Sequence, residues 1–391
     1  MASPGLTAVP LTSALVRGAA ELEQTEHGVV PHRLPAWARA QNVDPQLAMM
    51  ESQPSGVHLA FRTAATVIEL DLRRSRTAYA GLPALPDGIV ELVIDGDHVA
   101  HRATSGGTTV TIDMATGATA TEAGPACTAR FADLADETKD VEIWLPHKET
   151  LELLGLRTNA TVEPGPVDPR PVWLHHGSSI SHGSQVTRPT GIWPVVAARL
   201  ADVQLVNLGF GGSALLDPFV ARTIRDAPAD IISLKLGINL VNTDLMRLRA
   251  LGPAVHGFLD TIRDGHPTTP LLVVSPVHCA IHEDTPGPSG FDPDALAQGA
   301  LRFRATGDPA ERVAGKLTLT VIRDELARVV AQRQATDPHL HHLDGRRLYG
   351  EADAEAHPLP DALHPDAATH QLMGERFARS VLRTEPLTWA P

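Results

Sequence analysis

The sequence predicts an α/β fold of three layers, α/β/α, around a five-stranded parallel sheet, preceded by an all-β sandwich of jelly-roll-like type. Three observations predict it. After residue 171, five short apolar runs alternate with stretches of helical length, the grammar of a parallel sheet covered on both faces. Before residue 150 the hydrophobic period is two, and the runs are short and broken by Gly and Asp, as in an antiparallel sandwich. Between them, Gly155 to Pro171 holds Pro164, Pro166, Pro169 and Pro171 and reads as a stiff linker or a crossing strand. The expected domains are therefore 1–160, with its first 50 or so residues partly irregular, and 161–391.

Length and composition exclude several classes of function. A chain of 391 residues has room for two or three domains and a sizeable core. Aromatic residues make up 4%, so the core must be built mainly from Leu, Val, Ile and Ala. A formal charge of −13 argues against a nucleic-acid partner, which calls for a basic face. No apolar run approaches the length that spans a bilayer. Met1-Ala2-Ser3-Pro4-Gly5 has neither the basic start nor the apolar run of a secretory signal. With Cys127 and Cys279 widely separated in sequence, free thiols in a reducing cytoplasm are expected, and no disulfide framework. Lysine occurs only at 139, 148, 235 and 316, an arginine bias that fits a GC-rich genome and says nothing about mechanism.

In the first domain, residues 1–20 are weakly patterned, and Pro31 and Pro35 bar a regular helix across 31–37. Alternation begins after Gly56. Strands are expected at 67–73, 90–95, 108–113, 127–131 and 139–145, with Asp95-Gly96-Asp97 as a turn between two runs. In the second domain, strands are expected at 172–177, 203–208, 231–236, 271–277 and 340–344, and helices at 191–201, 245–263 and 313–334. Residues 278 to about 310, rich in Gly, Pro and Asp, follow the fourth strand at its carboxyl end. They should hang over that edge as a lid or pocket wall.

The chemistry gathers at the same edge, where ligands bind in open α/β sheets. Val172-Trp173-Leu174-His175-His176-Gly177 ends in Ser178-Ser179, so a strand delivers serine hydroxyls to its carboxyl end, with Gly177 permitting a backbone that a side chain would obstruct. The second strand leads into Gly209-Phe210-Gly211-Gly212-Ser213, whose glycine pair exposes backbone N–H groups fit to hold an oxyanion. The third ends in Gly237-Ile238-Asn239, and the Asn239 amide is another such donor. Near the C-terminus, Asp361 and His364 stand three residues apart, spaced so that the carboxylate orients the imidazole as a general base for a serine. Asp366 competes with Asp361 for that role.

Together these four stretches resemble the four sequence blocks of the SGNH (GDSL-like) hydrolases, in the family's order and over about 172–385. Gly177-Ser178-Ser179-Ile180 stands at the G-D-S-L block, with Ser178 in place of its Asp. Gly212, Asn239 and Asp361/His364 stand at the other three. The resemblance implies a flavodoxin-like sheet and a triad of Ser179, Asp361 and His364. It also implies an oxyanion hole from the Ser179 and Gly212 N–H groups and the Asn239 amide, with no cofactor or metal. It implies a serine-dependent esterase acting on small O-acyl esters. The alternative is an acyltransferase that moves an acyl group from an activated ester or thioester to a sugar or polyketide hydroxyl. An all-β module ahead of such a domain is similar in layout to enzymes of the salicylyl acyltransferase type in actinomycete tetracycline biosynthesis.

Other polar residues carry weaker signals. His278 and His282, with Glu283, have a helical metal-ligand spacing, but Pro276 and Pro286 break the helix and no third ligand is evident. They are expected to line the substrate pocket. His175 and His176 are not expected both to face the core from one strand; packing is the expected role, with an approach of one of them to the site as the alternative. Lys235 is expected to be solvated or salt-bridged, and His341-His342 structural.

Overall fold

The apolar runs after residue 171 form strands β1 (Val172–Gly177), β2 (Gln204–Gly209), β3 (Ile231–Lys235), β4 (Leu271–Val274) and β5 (Leu340–Leu343). In the computed structural model, which describes residues 5–82, 84–113, 116–165 and 168–383, all four neighbouring pairs are parallel, in the order β2-β1-β3-β4-β5. This is the flavodoxin-like order, which reverses direction beside β1 and opens a crevice at the carboxyl ends of the strands there.

Helices cover both faces of this sheet, and the side chains of β1 show how. Trp173 stacks on Phe377 at 4.9 Å between ring centroids and leans on Trp193 at 6.0 Å, facing the helices Trp193–Ala201 and Ala367–Phe377. His176, on the opposite side of the pleat, stacks on Phe258 at 5.9 Å, in the helix Leu248–Gly265. His175 and His176 are therefore both buried, one in each helix layer. The expectation that they could not both face core fails because the sheet has two covered faces. The helix Leu319–Arg333 matches the third expected helix. A further one, Pro218–Asp226, was not expected.

By its internal contacts the chain divides into two units. The first takes residues 1–36, 51–169 and 187–190, and the second 37–50, 170–186 and 191–391. Met1 to Pro4 and Pro166 lie outside the described residues, so the sequence expectations placed on them have no structural counterpart here.

The first unit is β-rich, with one sheet of eight strands and one of six. Its expected strands appear at Ile68–Tyr79, Ile89–Ile94, Thr108–Ile112, Cys127–Phe131 and Lys139–Trp144. The turn at 95–97 is a two-residue hairpin loop, with Asp95 at φ 50° and Gly96 at φ 87°. Two positive φ values in succession are those of a type I′ turn, which Asp-Gly favours. The weakly patterned N-terminal stretch contributes four short strands within 7–32, and Val162–Pro164 of the proline-rich segment pairs with His58–Thr63. Leu70, Leu72, Phe61, Ile143 and Leu153 sit in the buried core of this unit.

The segment 37–50 runs with the second unit, although it precedes most of the first in sequence. No helix among the described residues is long and apolar enough to cross a membrane.

Candidate active site

The strand β1 ends at Gly177, and a helix of four residues, Ser179–His182, begins two residues later. The tightness of this junction explains its glycines. Gly177 does not have a positive φ; instead a Cβ there would lie 2.4 Å from Ser181 Oγ. A Cβ on Gly209, at the end of β2, would lie 2.6 Å from the backbone of both Ser181 and His182. The second clash cannot be relieved by a side-chain rotation, since backbone would have to move. Gly209→Ala is therefore expected to cost about 1–3 kcal/mol, the usual penalty for overfilling a packed site. Thermal unfolding should read this as a fall of several degrees, with a parallel loss of turnover as the Ser179 helix is pushed outward.

The two adjacent serines have different surroundings. Ser178 is fully buried and caps the helix, its Oγ accepting from Ile180 N at 3.4 Å. Ser179 Oγ lies 2.9 Å from His364 Nε2. His364 Nδ1 lies 2.8 Å from Asp361 Oδ2, a geometry that makes Nδ1–H the donor and leaves Nε2 to accept from the serine. The structure thus joins Ser179, His364 and Asp361 in one chain of hydrogen bonds, across 185 residues of sequence.

Asp361 is held at several points. Its Oδ1 accepts from the backbone N–H groups of His364 at 2.7 Å and Leu363 at 3.0 Å, while Gln185 Nε2 donates to Oδ2 at 2.9 Å. Burial pushes this carboxyl up, but the His364 ring and N–H and the Gln185 amide outweigh burial and hold it at about 2. It is ionised throughout the neutral range. Asp366, the competing carboxylate, is occupied elsewhere: it caps the helix Ala367–Phe377 by accepting from Thr369 N at 2.9 Å.

The candidate oxyanion donors lie on the neighbouring strand ends. Gly212, at φ 75°, follows β2, and its N–H has no acceptor among the described residues. Asn239 is buried behind β3, and its Oδ1 accepts from Ala214 N at 3.1 Å. That bond fixes which way the amide faces, leaving Nδ2 as the end free to donate.

The segment 278–310 reaches this site through an aromatic residue. Ser289–Phe291 and Phe303–Ala305 form a small hairpin. Phe303 N donates to Asp361 O at 2.8 Å, and its ring meets His364 edge-on at 5.6 Å between centroids.

The two histidines expected to line the pocket are committed elsewhere. His282 is fully buried, with Nδ1 at 3.0 Å from Thr285 O and Nε2 at 2.7 Å from Ser289 Oγ. Both ring nitrogens therefore fasten the loop to itself. His278 Nδ1 lies 3.4 Å from Glu283, which is paired in turn with Arg323. Neither is hydrogen-bonded to Ser179, His364 or Asp361. Among the described residues no group of three His, Cys, Asp or Glu side chains is arranged to hold a metal.

Lys235 also departs from expectation. It is buried and forms no ion pair with a carboxylate among the described residues, and burial pushes its pKa down to about 8. Cys279, nearby, is pushed up to about 12 chiefly by burial, so it is no nucleophile at neutral pH.

Sequence reading missed Gln185, Phe303 and Gln46, whose Nε2 donates to Gly211 O at 2.9 Å. Each reaches the site from a loop or a short element, with no periodicity to announce it.

The chain is similar to known proteins in sequence and in fold. Residues 170–283 match the model of the GDSL-like lipase/acylhydrolase family. Curated protein sequences give no match. Among solved structures, the chain is similar to the salicylyl-acyltransferase SsfX3 from a tetracycline biosynthetic pathway, at 26% identity over 97% of each chain with a TM-score of 0.78. It shares its fold with a GDSL-like lipase from Bacteroides ovatus, at 18% identity over 96% of this chain and 97% of that one, TM-score 0.67. It also shares it with a family two carbohydrate esterase from Cellvibrio japonicus, at 12% identity over 98% of each, TM-score 0.58. Residues 170–283 thus resemble the GDSL-like lipase/acylhydrolases, and these likenesses support an esterase or acyltransferase with a β-rich N-terminal unit.

Proposed function

We propose that this protein transfers acyl groups through a covalent intermediate on Ser179, with hydrolysis of small O-acyl esters as its reaction. The observation that carries the reading is the continuous hydrogen-bonded path from Ser179 Oγ through His364 to Asp361.

In this mechanism His364 Nε2 takes the Ser179 proton as Oγ attacks the acyl carbonyl, and the imidazolium that forms is stabilised by the Asp361 carboxylate. Negative charge gathers on the former carbonyl oxygen. The N–H groups of Ser179 and Gly212 and the Asn239 amide receive it, and removal of one such donor costs typically ~2.7–4 kcal/mol of transition-state stabilisation. His364 returns its proton to the leaving alkoxide, which departs as the alcohol. Water, deprotonated by the same ring, then attacks the acyl-enzyme, and as the bond to Ser179 Oγ breaks His364 returns the proton to that oxygen and the acid is released.

The second reading replaces that water by the hydroxyl of a sugar or polyketide, with an activated ester or thioester as donor. What favours it is similarity over 97% of both chains to SsfX3, a likeness that takes in the β-rich unit as well as the catalytic one. Phe303 against the His364 ring places an apolar surface where an acceptor must approach, and exclusion of water there is what transfer over hydrolysis requires.

The test is mass spectrometry of the intact protein mixed rapidly with p-nitrophenyl acetate, followed by peptide mapping. The acetyl adduct is expected on Ser179. An adduct confined to another residue, or none together with no turnover, sinks the proposal. Addition of glycosides or phenols to the same mixture divides the two readings: acetylated alcohol in place of acetate marks a transferase.

A further inference from the structure

The segment 37–50 joins the unit of the parallel sheet from outside the stretch that matches the family model, and it meets the candidate site at the 209–213 turn. Gln46, in the helix Pro45–Ser52, donates from Nε2 to the carbonyl oxygen of Gly211 at 2.9 Å. That carbonyl belongs to the same peptide group as the Gly212 N–H. A trans peptide is planar, with its C=O and N–H pointing in opposite directions. A donor that grips the carbonyl from one side therefore fixes the direction in which the N–H points on the other.

We infer that Gln46 is a positioning residue for the oxyanion hole, setting the direction of the Gly212 N–H and strengthening it as a donor. The inference rests on the acyl-Ser179 reading above. The strengthening follows from polarisation: a hydrogen bond accepted by the carbonyl draws charge through the peptide and makes its N–H more positive.

The surroundings leave this peptide few alternatives. Gly212 lies against the Gln46 side chain, so a Cβ on it would be 3.5 Å from both Cγ and Nε2. Gly211 is held between Met50 and Ser179: a Cβ there would be 2.7 Å from Met50 Sδ and 3.6 Å from Ser179 Cβ. Gln46 is itself anchored, since its backbone N–H donates to Asp44 Oδ1 at 3.0 Å. The other carboxylate oxygen of Asp44 accepts from Ser213 Oγ at 3.4 Å, on the far side of Gly212. The segment 42–46 thus touches the 209–213 turn before and after the donor it orients. A glycine pair gives a turn the freedom to approach substrate closely but also the freedom to rotate, and Gln46 supplies the restraint the glycines lack.

The experiment is steady-state turnover of p-nitrophenyl acetate by Gln46→Leu, Gln46→Glu and Gln46→Lys in the full chain, with inhibition by phenylboronic acid and melting temperature measured alongside. Gln46→Leu removes the donor at similar size and is expected to lower kcat by roughly 5- to 10-fold with KM unchanged, as for loss of one neutral hydrogen bond. Inhibition by the boronic acid, whose tetrahedral adduct on serine carries an anionic oxygen, should weaken by a similar factor. Gln46→Glu sets an acceptor against the carbonyl and should lose more, while Gln46→Lys restores a donor and should stay within about twofold of wild type. Wild-type kcat and boronate affinity in Gln46→Leu, or a loss confined to KM and melting temperature in all three variants, overturns the inference. Acetylation of Ser179 in the unsubstituted protein is scored first, so a failure of the acyl-Ser179 reading shows as no adduct there. A failure of the Gln46 inference alone shows as a normal adduct with unchanged variants.

Discussion

Ser179→Ala is expected to lower kcat for p-nitrophenyl acetate by at least about 10⁴-fold, because the attacking oxygen is removed while the oxyanion donors and the His364–Asp361 pair stay in place. The acetyl adduct should vanish with it. The fold should not follow, since the hydrogen bond lost is the one to His364 Nε2 and the helix it opens is capped by Ser178. The informative control is therefore the neighbouring serine. Ser178→Ala deletes a buried N-cap and should cost about 1 kcal/mol of stability, read as a lower melting temperature, while retaining the adduct on Ser179. The opposite pattern, turnover surviving in Ser179→Ala and lost in Ser178→Ala without unfolding, would transfer the nucleophile to Ser178 and refute the assignment.

How far the site could be read in advance follows from where its residues sit. Gly212 and Asn239 stand just past strands whose apolar runs are visible without coordinates, and a parallel sheet brings all carboxyl ends to one edge. Residues far apart in the chain could therefore be assigned to one place. Asp361 and His364 follow the same logic, since a local pair three residues apart needs only one turn to meet. Without the resemblance, choosing between Ser178 and Ser179 needs the direction of two hydroxyls, and choosing between Asp361 and Asp366 the direction of two carboxylates. That direction depends on cap geometry: Ser178 and Asp366 each serve a helix N-terminus.

What the sequence hid has a common cause. Gln185 reaches Asp361 from a backbone at φ 64°, a conformation that no glycine signals at that position. Phe303 comes from a three-residue strand, and Gln46 from a helix whose apolar residues show no face. Such contacts depend on how loops close, and loop closure leaves little trace in hydrophobic periodicity. His282 departs from its pocket-lining expectation for a related reason, since its ring is spent on Thr285 and Ser289 of its own loop. The four short N-terminal strands escaped notice because two to four residues are too few to establish alternation.

Asp361→Asn should lower kcat by about 10³–10⁴-fold with the fold retained, an effect second only to loss of the serine. Asparagine can keep the acceptor that holds Leu363 N and His364 N, so the turn stays shaped. The oxygen facing His364 Nδ1 becomes an NH₂, a donor against a ring nitrogen that must itself donate. The ring then carries its proton on Nε2, toward Ser179, and cannot accept the serine proton. The same NH₂ also opposes the Gln185 amide, which donates to that position in the native protein. Stability should shift in a defined pH window. The native carboxyl falls from its ordinary 3.8 to about 2, a shift worth roughly 2 kcal/mol. A carboxyl with a depressed folded-state pKa contributes stability that is present above the unfolded value near 4. That stability is lost as pH falls through 2. Denaturant unfolding between pH 5 and pH 2 should therefore show a gap between the native protein and Asp361→Asn that is widest at pH 5 and shrinks toward pH 2. A constant gap would mean that the carboxylate charge does not stabilise the fold. Turnover within tenfold of wild type in this variant would remove Asp361 from the mechanism.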